Sequence, residues 1–230
     1  MTGTLALVGA GEYLPGHDPI DRWLFARLGS APRVACLATA AGTEGSERIG
    51  YWDRLGVEHY TRLGATVEAV PIIDRHSAED ERLATRVRQA NFVYLSGGKP
   101  AYLHETLVDT PVLRAILAVL DAGGVVAGCS AGAMVWGEYF RSLRSGLSWQ
   151  KGFNRASGAV VIPHFDEIPG LMLRTAWETR PRDTTLLGID RNTALVLSGG
   201  AAQVVGTGGV TVWSHEGKQR HLNGATVTWP

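Results

Sequence analysis

The chain has 230 residues, 45% of them hydrophobic and 19% charged, a length and balance that suit one α/β domain spanning 1–230 with a sizeable buried core. Its 22 basic and 22 acidic side chains cancel, which removes any electrostatic argument for nucleic acid or an anionic membrane. Two cysteines, Cys36 and Cys129, are too few for a disulfide framework. No apolar run reaches the roughly 18 residues of a membrane span, and Met1 to Leu5 lacks the basic-then-apolar pattern of a secretory leader, so a cytoplasmic protein is expected.

Leu5 to Val8 reads as a buried strand ending in Gly9-Ala10-Gly11-Glu12. This is not a dinucleotide fingerprint, because Leu14 stands where the third glycine belongs. Asp18-Pro19 opens a helix to about Leu28. Val34 to Thr39 is a second strand, and Ser46 caps a helix carrying Tyr51, Trp52, Leu55 and Tyr60. Thr66 to Ile73 is a third strand. Ser77 with Asp80 resembles a capping signal for the helix up to Ala90. Phe92 to Leu95 is a fourth strand that stops at Ser96-Gly97-Gly98-Lys99-Pro100, and two helices follow, the second from Thr110-Pro111 to Gly123-Gly124.

Strands and helices alternate to about residue 140, the pattern of βαβ crossovers: a mostly parallel sheet with helices on both faces. In such sheets the site lies at the carboxyl ends of the strands. Beyond Phe140 the pattern changes. Arg141 to Ala156 reads as a loop or lid, Ala159 to Ile162 as a strand delivering Pro163-His164-Phe165-Asp166, and Leu171 to Thr179 as a helix. Leu186 to Asp190 and Ala194 to Leu197 look like a strand pair. The glycine-punctuated tail reads as antiparallel edge strands.

The fifth strand, Val125 to Ala127, runs into Gly128-Cys129-Ser130-Ala131-Gly132, a G-x-S-x-G. A serine on a sharp strand-to-helix turn needs small neighbours two residues either side, and the two glycines meet that need. The turn lifts the Ser130 hydroxyl clear of the sheet and sets the Ala131 N–H where it could stabilise an oxyanion. Centred on Cys129 the flanking positions would be Ala127 and Ala131, a poorer fit, so Cys129 reads as a buried neighbour.

A serine hydroxyl needs a base. Of the seven histidines, His17, His59, His76, His104, His215 and His221 fall in expected loops or on helix surfaces. His164 ends a buried strand on the edge that Ser130 faces, and is the candidate base. Three carboxylates could orient it: Asp190 first, then Asp166, then Glu138. A metal at His164 and Asp166 lacks a cluster of further ligands, so neither metal nor other cofactor is expected. Gly97-Gly98 is the natural source of a second oxyanion donor.

Taken together, Gly128 to Ala133, Ser96-Gly97-Gly98, Pro163-His164-Phe165 and Gly188 to Ala194 resemble the dipeptidase E / cyanophycinase family of serine peptidases. The resemblance runs from the first strand to about Trp213 and implies a class I glutamine-amidotransferase-like fold. It implies Ser130 as nucleophile, His164 as base, and the Gly98 and Ala131 amides as oxyanion hole, acting on a small peptide or amide. Two positions depart from the family. Lys99-Pro100 replaces a polar pair after the Gly-Gly turn, and Lys99 is a candidate for holding a substrate carboxylate. Ile168-Pro169-Gly170-Leu171 stands where cyanophycinases carry arginines, the first here being Arg174. Cyanophycin and Asp-X dipeptides fit this pattern less well. Two rivals stay open: an amidotransferase-like enzyme using Cys129, and a binding relative without turnover. A homodimer is compatible with the sequence.

Overall fold

Backbone hydrogen bonding gathers the strands into two sheets. The computed structural model describes residues 2–141 and 148–229. The first half of the chain alternates as expected: β1 (Thr4–Val8), α1 (Asp18–Phe25), β2 (Arg33–Leu37), α2 (Ser46–Arg62), β3 (Thr66–Ala69), α3 (Arg75–Ala78), α4 (Glu81–Gln89), β4 (Phe92–Leu95), α5 (Pro100–Leu107), α6 (Pro111–Asp121), β5 (Val125–Cys129) and α7 (Ala131–Met134). The second half is mainly strand: β6 (Gly137–Arg141), β7 (Trp149–Lys151), β8 (Ala156–Ile162), α8 (Gly170–Thr179), β9 (Thr185–Ile189), β10 (Thr193–Ser198), β11 (Ala201–Gly206), β12 (Gly209–Ser214), β13 (Gly217–Leu222) and β14 (Thr226–Val227).

The eight-stranded sheet has the order β14-β11-β10-β1-β5-β4-β2-β3. Strands β1 to β5 are mutually parallel, and β10, β11 and β14 add antiparallel. The six-stranded sheet runs β13-β12-β9-β8-β6-β7, with β6, β8 and β9 parallel and β7, β12 and β13 antiparallel. The fold is thus mixed α/β, mostly parallel at its centre, with antiparallel edges towards the C-terminus.

Side-chain alternation splits the large sheet between two cores. Ala6, Val8, Phe92, Tyr94, Ala127 and Cys129 face the core shared with α1 and α2. Leu5, Leu7, Val93, Leu95 and Val126 face a core that α4, α5, α6 and residues of the second sheet complete. These strands are covered on both faces, so they read as continuous apolar runs rather than as alternating ones.

Several boundaries differ from the sequence reading. Asp74 and Ser77 form the capping box of α3, and Asp80 alone caps α4. A one-turn helix thus occupies the loop, and Ser77 belongs to it. The stretch from Arg141 to Ala156 is not wholly a loop, because Arg141 pairs with Trp149 as β6 and β7; its residues 142–147 lie outside the described residues. The Leu186 and Ala194 segments are not a pair: β9 bonds β8 and β12, whereas β10 bonds β1 and β11. The Asp190-Arg191-Asn192 link, with Asn192 at φ 51°, carries the chain from one sheet to the other.

His17 and His59, expected on the surface, are buried. The reason is a second buried residue: Asp21 Oδ2 lies 2.8 Å from His17 Nδ1 and 2.7 Å from His59 Nε2. The Tyr60 hydroxyl donates to Asp21 Oδ1 at 3.1 Å. A buried carboxylate requires such partners, so Asp21 on α1 draws in His17 from the turn before that helix and His59 and Tyr60 from α2. Both cysteines are unpaired and buried. Among the described residues no helix is long and apolar enough to cross a membrane.

Candidate active site

Strands β1, β5 and β4 are parallel neighbours, so their carboxyl ends and the glycine turns that follow meet on one edge. Ser130 stands between β5 and α7 at φ 52° and ψ −113°, a backbone state that costs roughly 1–3 kcal/mol for a non-glycine residue. Its surroundings enforce that state. A Cβ on Gly128 would lie 2.2 Å from the Gly132 carbonyl oxygen, and one on Gly132 would lie 2.3 Å from that of Leu95. Only glycines let the elbow close against β4.

Strand β8 brings His164 to the same edge from the second sheet. His164 Nε2 lies 3.2 Å from Ser130 Oγ. The residue has φ 53°, and its carbonyl accepts the Glu167 N–H in a tight turn. That turn folds Glu167 back on the ring, with Oε2 3.1 Å from His164 Nδ1. Arg191 Nη1 holds the other oxygen, Oε1, also at 3.1 Å. The hydrogen bonds from His164 and then Arg191 keep the Glu167 carboxyl below the usual glutamate range. An ionised Glu167 favours the tautomer with hydrogen on Nδ1, which leaves Nε2 free to accept the serine proton.

The carboxylate beside His164 is therefore Glu167, and not any of the three expected from sequence. Asp190 is buried and engaged elsewhere: its Oδ2 accepts from Gly209 N–H at 2.9 Å and from Arg220, tying the end of β9 to β12 and β13. Asp166 accepts the Arg191 N–H at 2.9 Å. Glu138, on β6, accepts the Gly158 N–H at 2.9 Å. Each carboxylate satisfies a backbone amide and shapes the loops around the site. Phe165 anchors the His164 turn through its N–H to the Ile189 carbonyl and packs where a Gly188 Cβ would stand. Glu167 sits three residues after His164, a one-turn spacing that is the available clue; no sequence signal ties Arg191 to it.

The Gly97-Gly98 turn after β4 comes next to the elbow. Gly98 has φ 145°, and a Cβ there would lie 2.5 Å from the Ala40 carbonyl oxygen. Gly97 N–H donates to Glu12 Oε1 at 3.2 Å, while Glu12 Oε2 accepts from the Cys129 thiol at 2.9 Å. Glu12, the last residue of the Gly-Ala-Gly-Glu turn after β1, thereby clamps the elbow to the glycine turn. Among the described residues neither the Gly98 nor the Ala131 N–H has a hydrogen-bond acceptor. Burial, followed by the neighbouring Glu12 charge, pushes the Cys129 thiol well above its ordinary range. It stays a thiol at neutral pH and is a poor nucleophile there.

A cleft of about 1160 Å³ opens over Ser130 and His164, with Gly98 and Lys99 on its wall. Lys99 precedes α5, and its Nζ donates to Thr43 Oγ1 at 2.8 Å. The structure thus brings together Ser130, His164, Gly98, Ala131 and Lys99, and excludes Asp190.

A serine on a strained elbow at the carboxyl edge of a parallel sheet, with an imidazole at its hydroxyl, places the protein among serine-type hydrolases. Comparison with known proteins narrows the class. The model of peptidase family S51 matches residues 5–205. Cyanophycinase of Trichormus variabilis is 28% identical over 226 residues, covering 92% of this chain and 73% of that protein. Cyanophycinase of Synechococcus elongatus is 31% identical over 223 residues, covering 90% and 66%. The crystal structure of a peptidase from an acI-B1 Actinobacterium matches with a TM-score of 0.90 and 35% identity, covering 100% of this chain and 98% of that one. A peptidase E-like chain from Listeria monocytogenes, 18% identical with a TM-score of 0.66, covers 90% and 99% and shares the fold. The chain belongs to peptidase family S51 and is a serine-type peptidase.

Proposed function

We propose that the protein hydrolyses amide bonds of short peptides through an acyl-enzyme on Ser130. The observation that carries this reading is the chain of contacts from Ser130 Oγ to His164 Nε2 at 3.2 Å and from His164 Nδ1 to Glu167 at 3.1 Å. His164 removes the hydroxyl proton as Ser130 attacks the carbonyl carbon, and the Gly98 and Ala131 amides receive the oxyanion. His164 returns the proton to the leaving amine. Water then attacks the ester, with His164 again as base, and the acid is released. Glu167 holds the ring and balances the imidazolium charge. Lys99 pairs with a substrate carboxylate.

The test is labelling with a serine-directed fluorophosphonate and mapping of the adduct by mass spectrometry. An adduct on Ser130 that is lost in His164→Ala is the expected result. An unlabelled Ser130 in folded, accessible protein refutes the reading. Lys99→Ala is expected to raise KM for peptides with a free carboxylate more than for the same peptides as amides; an equal effect on both removes Lys99 from substrate binding.

A further inference from the structure

Much of the cleft wall is apolar. Ile168, Leu171 and Met172 line it from the start of α8, together with Met134 and Ile162. Leu171 is 78% exposed and Met172 60%, so the described residues leave this apolar surface to water. Among the described lining residues there is no carboxylate, and Lys99 and Arg141 are the lysine and arginine present. Arg141 Nε is buried without a hydrogen-bond partner among the described residues. Arg174 turns out of the cleft: its Nε pairs with Glu178 at 2.8 Å and it is 75% exposed on the surface.

Resting on the peptidase reading above, we propose that this cleft selects short peptides with a large apolar side chain next to the scissile bond. The side chain is seated on Ile168, Leu171 and Met172. A leucine or phenylalanine side chain covers methyl and thioether groups that otherwise face water, and that burial drives binding. An aspartate there would surrender its hydration to the same apolar groups without gaining a partner. The two cations fit a single anionic group, the terminal carboxylate, at the other end of the ligand. The acidic side-chain specificity expected of a cation-lined pocket has no support from α8.

The experiment uses the Ser130→Ala protein and calorimetric titration with Leu-Leu, Phe-Leu and Asp-Leu, which share one terminal carboxylate. Burying the apolar side chain predicts that the first two bind at least about tenfold more tightly than Asp-Leu. The preference is expected to vanish in Ser130→Ala with Met172→Glu, an exposed position where folding is not at risk. Equal or tighter binding of Asp-Leu, or no binding of any of the three, overturns the proposal. Fluorophosphonate labelling of the unmodified protein tests the chemistry separately. Labelled Ser130 with an Asp-Leu preference sinks the specificity and spares the peptidase mechanism. An apolar preference without labelling keeps the seat and sinks the mechanism. Sedimentation covers the remaining occupant: a dimer that Leu171→Glu dissociates, with peptide affinity unchanged, shows that a second copy covers this wall and overturns the proposal.

Discussion

Glu167→Gln isolates the carboxylate that orients the base. In the native site Glu167 Oε2 lies 3.1 Å from His164 Nδ1. As Ser130 loses its proton, the ring becomes an imidazolium facing this carboxylate. At that distance two unit charges attract by about 1.3 kcal/mol in a water-like dielectric, and the attraction grows as the site dries. His164 and Glu167 are 41% and 43% exposed, so the water-like end of the range applies and solvent screening holds the value down. Glutamine also presents either an oxygen or an NH₂ group to Nδ1, and the latter favours the wrong tautomer. Together the two effects predict a loss of about 10- to 100-fold in labelling rate, at roughly 1.4 kcal/mol per decade. That is smaller than the ~10⁴-fold effect of amidating a buried triad aspartate. The assay is the second-order rate of fluorophosphonate labelling at Ser130, which needs no known substrate, with folding checked by circular dichroism. A rate within twofold of the native protein refutes the role of Glu167. A large loss in Asp166→Asn or Asp190→Asn, in protein still folded, would move the role to that residue.

Asp190→Asn is expected to lower stability by about 1–3 kcal/mol in urea unfolding, because it weakens a buried acceptor of Gly209 N–H and Arg220, while the folded fraction labels at the native rate. Cys129→Ala should retain labelling, and native Cys129 should resist iodoacetamide until the protein unfolds, since burial holds the thiol protonated. Gly132→Ala, which forces a Cβ to 2.3 Å from the Leu95 carbonyl oxygen, should yield little folded protein on expression. Stability should fall on both sides of neutrality through the His17–Asp21–His59 cluster. Burial alone would lower the His17 pKa, but the Asp21 charge and hydrogen bond raise it, so this contribution is full below the unfolded histidine value and is lost as pH rises through the raised folded value. Burial alone would raise the Asp21 pKa, but His17 and then His59 lower it, so its contribution is present above the unfolded aspartate value and is lost as pH falls through the lowered one. Urea midpoints measured across pH should show both slopes, and His17→Gln should flatten the alkaline one.

Local rules make much of this protein legible in its amino-acid order. The strand-helix alternation, the elbow at Gly128 to Gly132 and the histidine just after β8 all follow from short-range pattern: period, turn chemistry and steric need act within about five residues. Those rules stop where partners come from far along the chain. Asp190 resembles a triad acid because it ends a strand, yet it bonds Gly209 and Arg220, residues whose approach depends on β12 and β13 joining the second sheet. His17 stands one helical turn before Asp21, but His17 and His59 both read as surface residues because nothing local announces that His59, 38 residues beyond Asp21, closes over the same carboxylate.

The nucleophile's geometry is thus the sequence's own: two glycines around Ser130 leave the turn one way to close, and β5 with its flanking helix fixes where the hydroxyl points. The identity of its partners is decided by tertiary structure. Two sheets have to pack so that His164 from the second reaches Ser130 on the first, and the positive-φ turn at His164 has to swing Glu167 onto the ring with Arg191 behind it. The three-residue step from His164 to Glu167 is written in the chain, but the contacts of His164 with Ser130 and of Arg191 with Glu167 span tens of residues; they are selected by packing and by satisfying buried polar groups, and spacing along the chain carries no record of either.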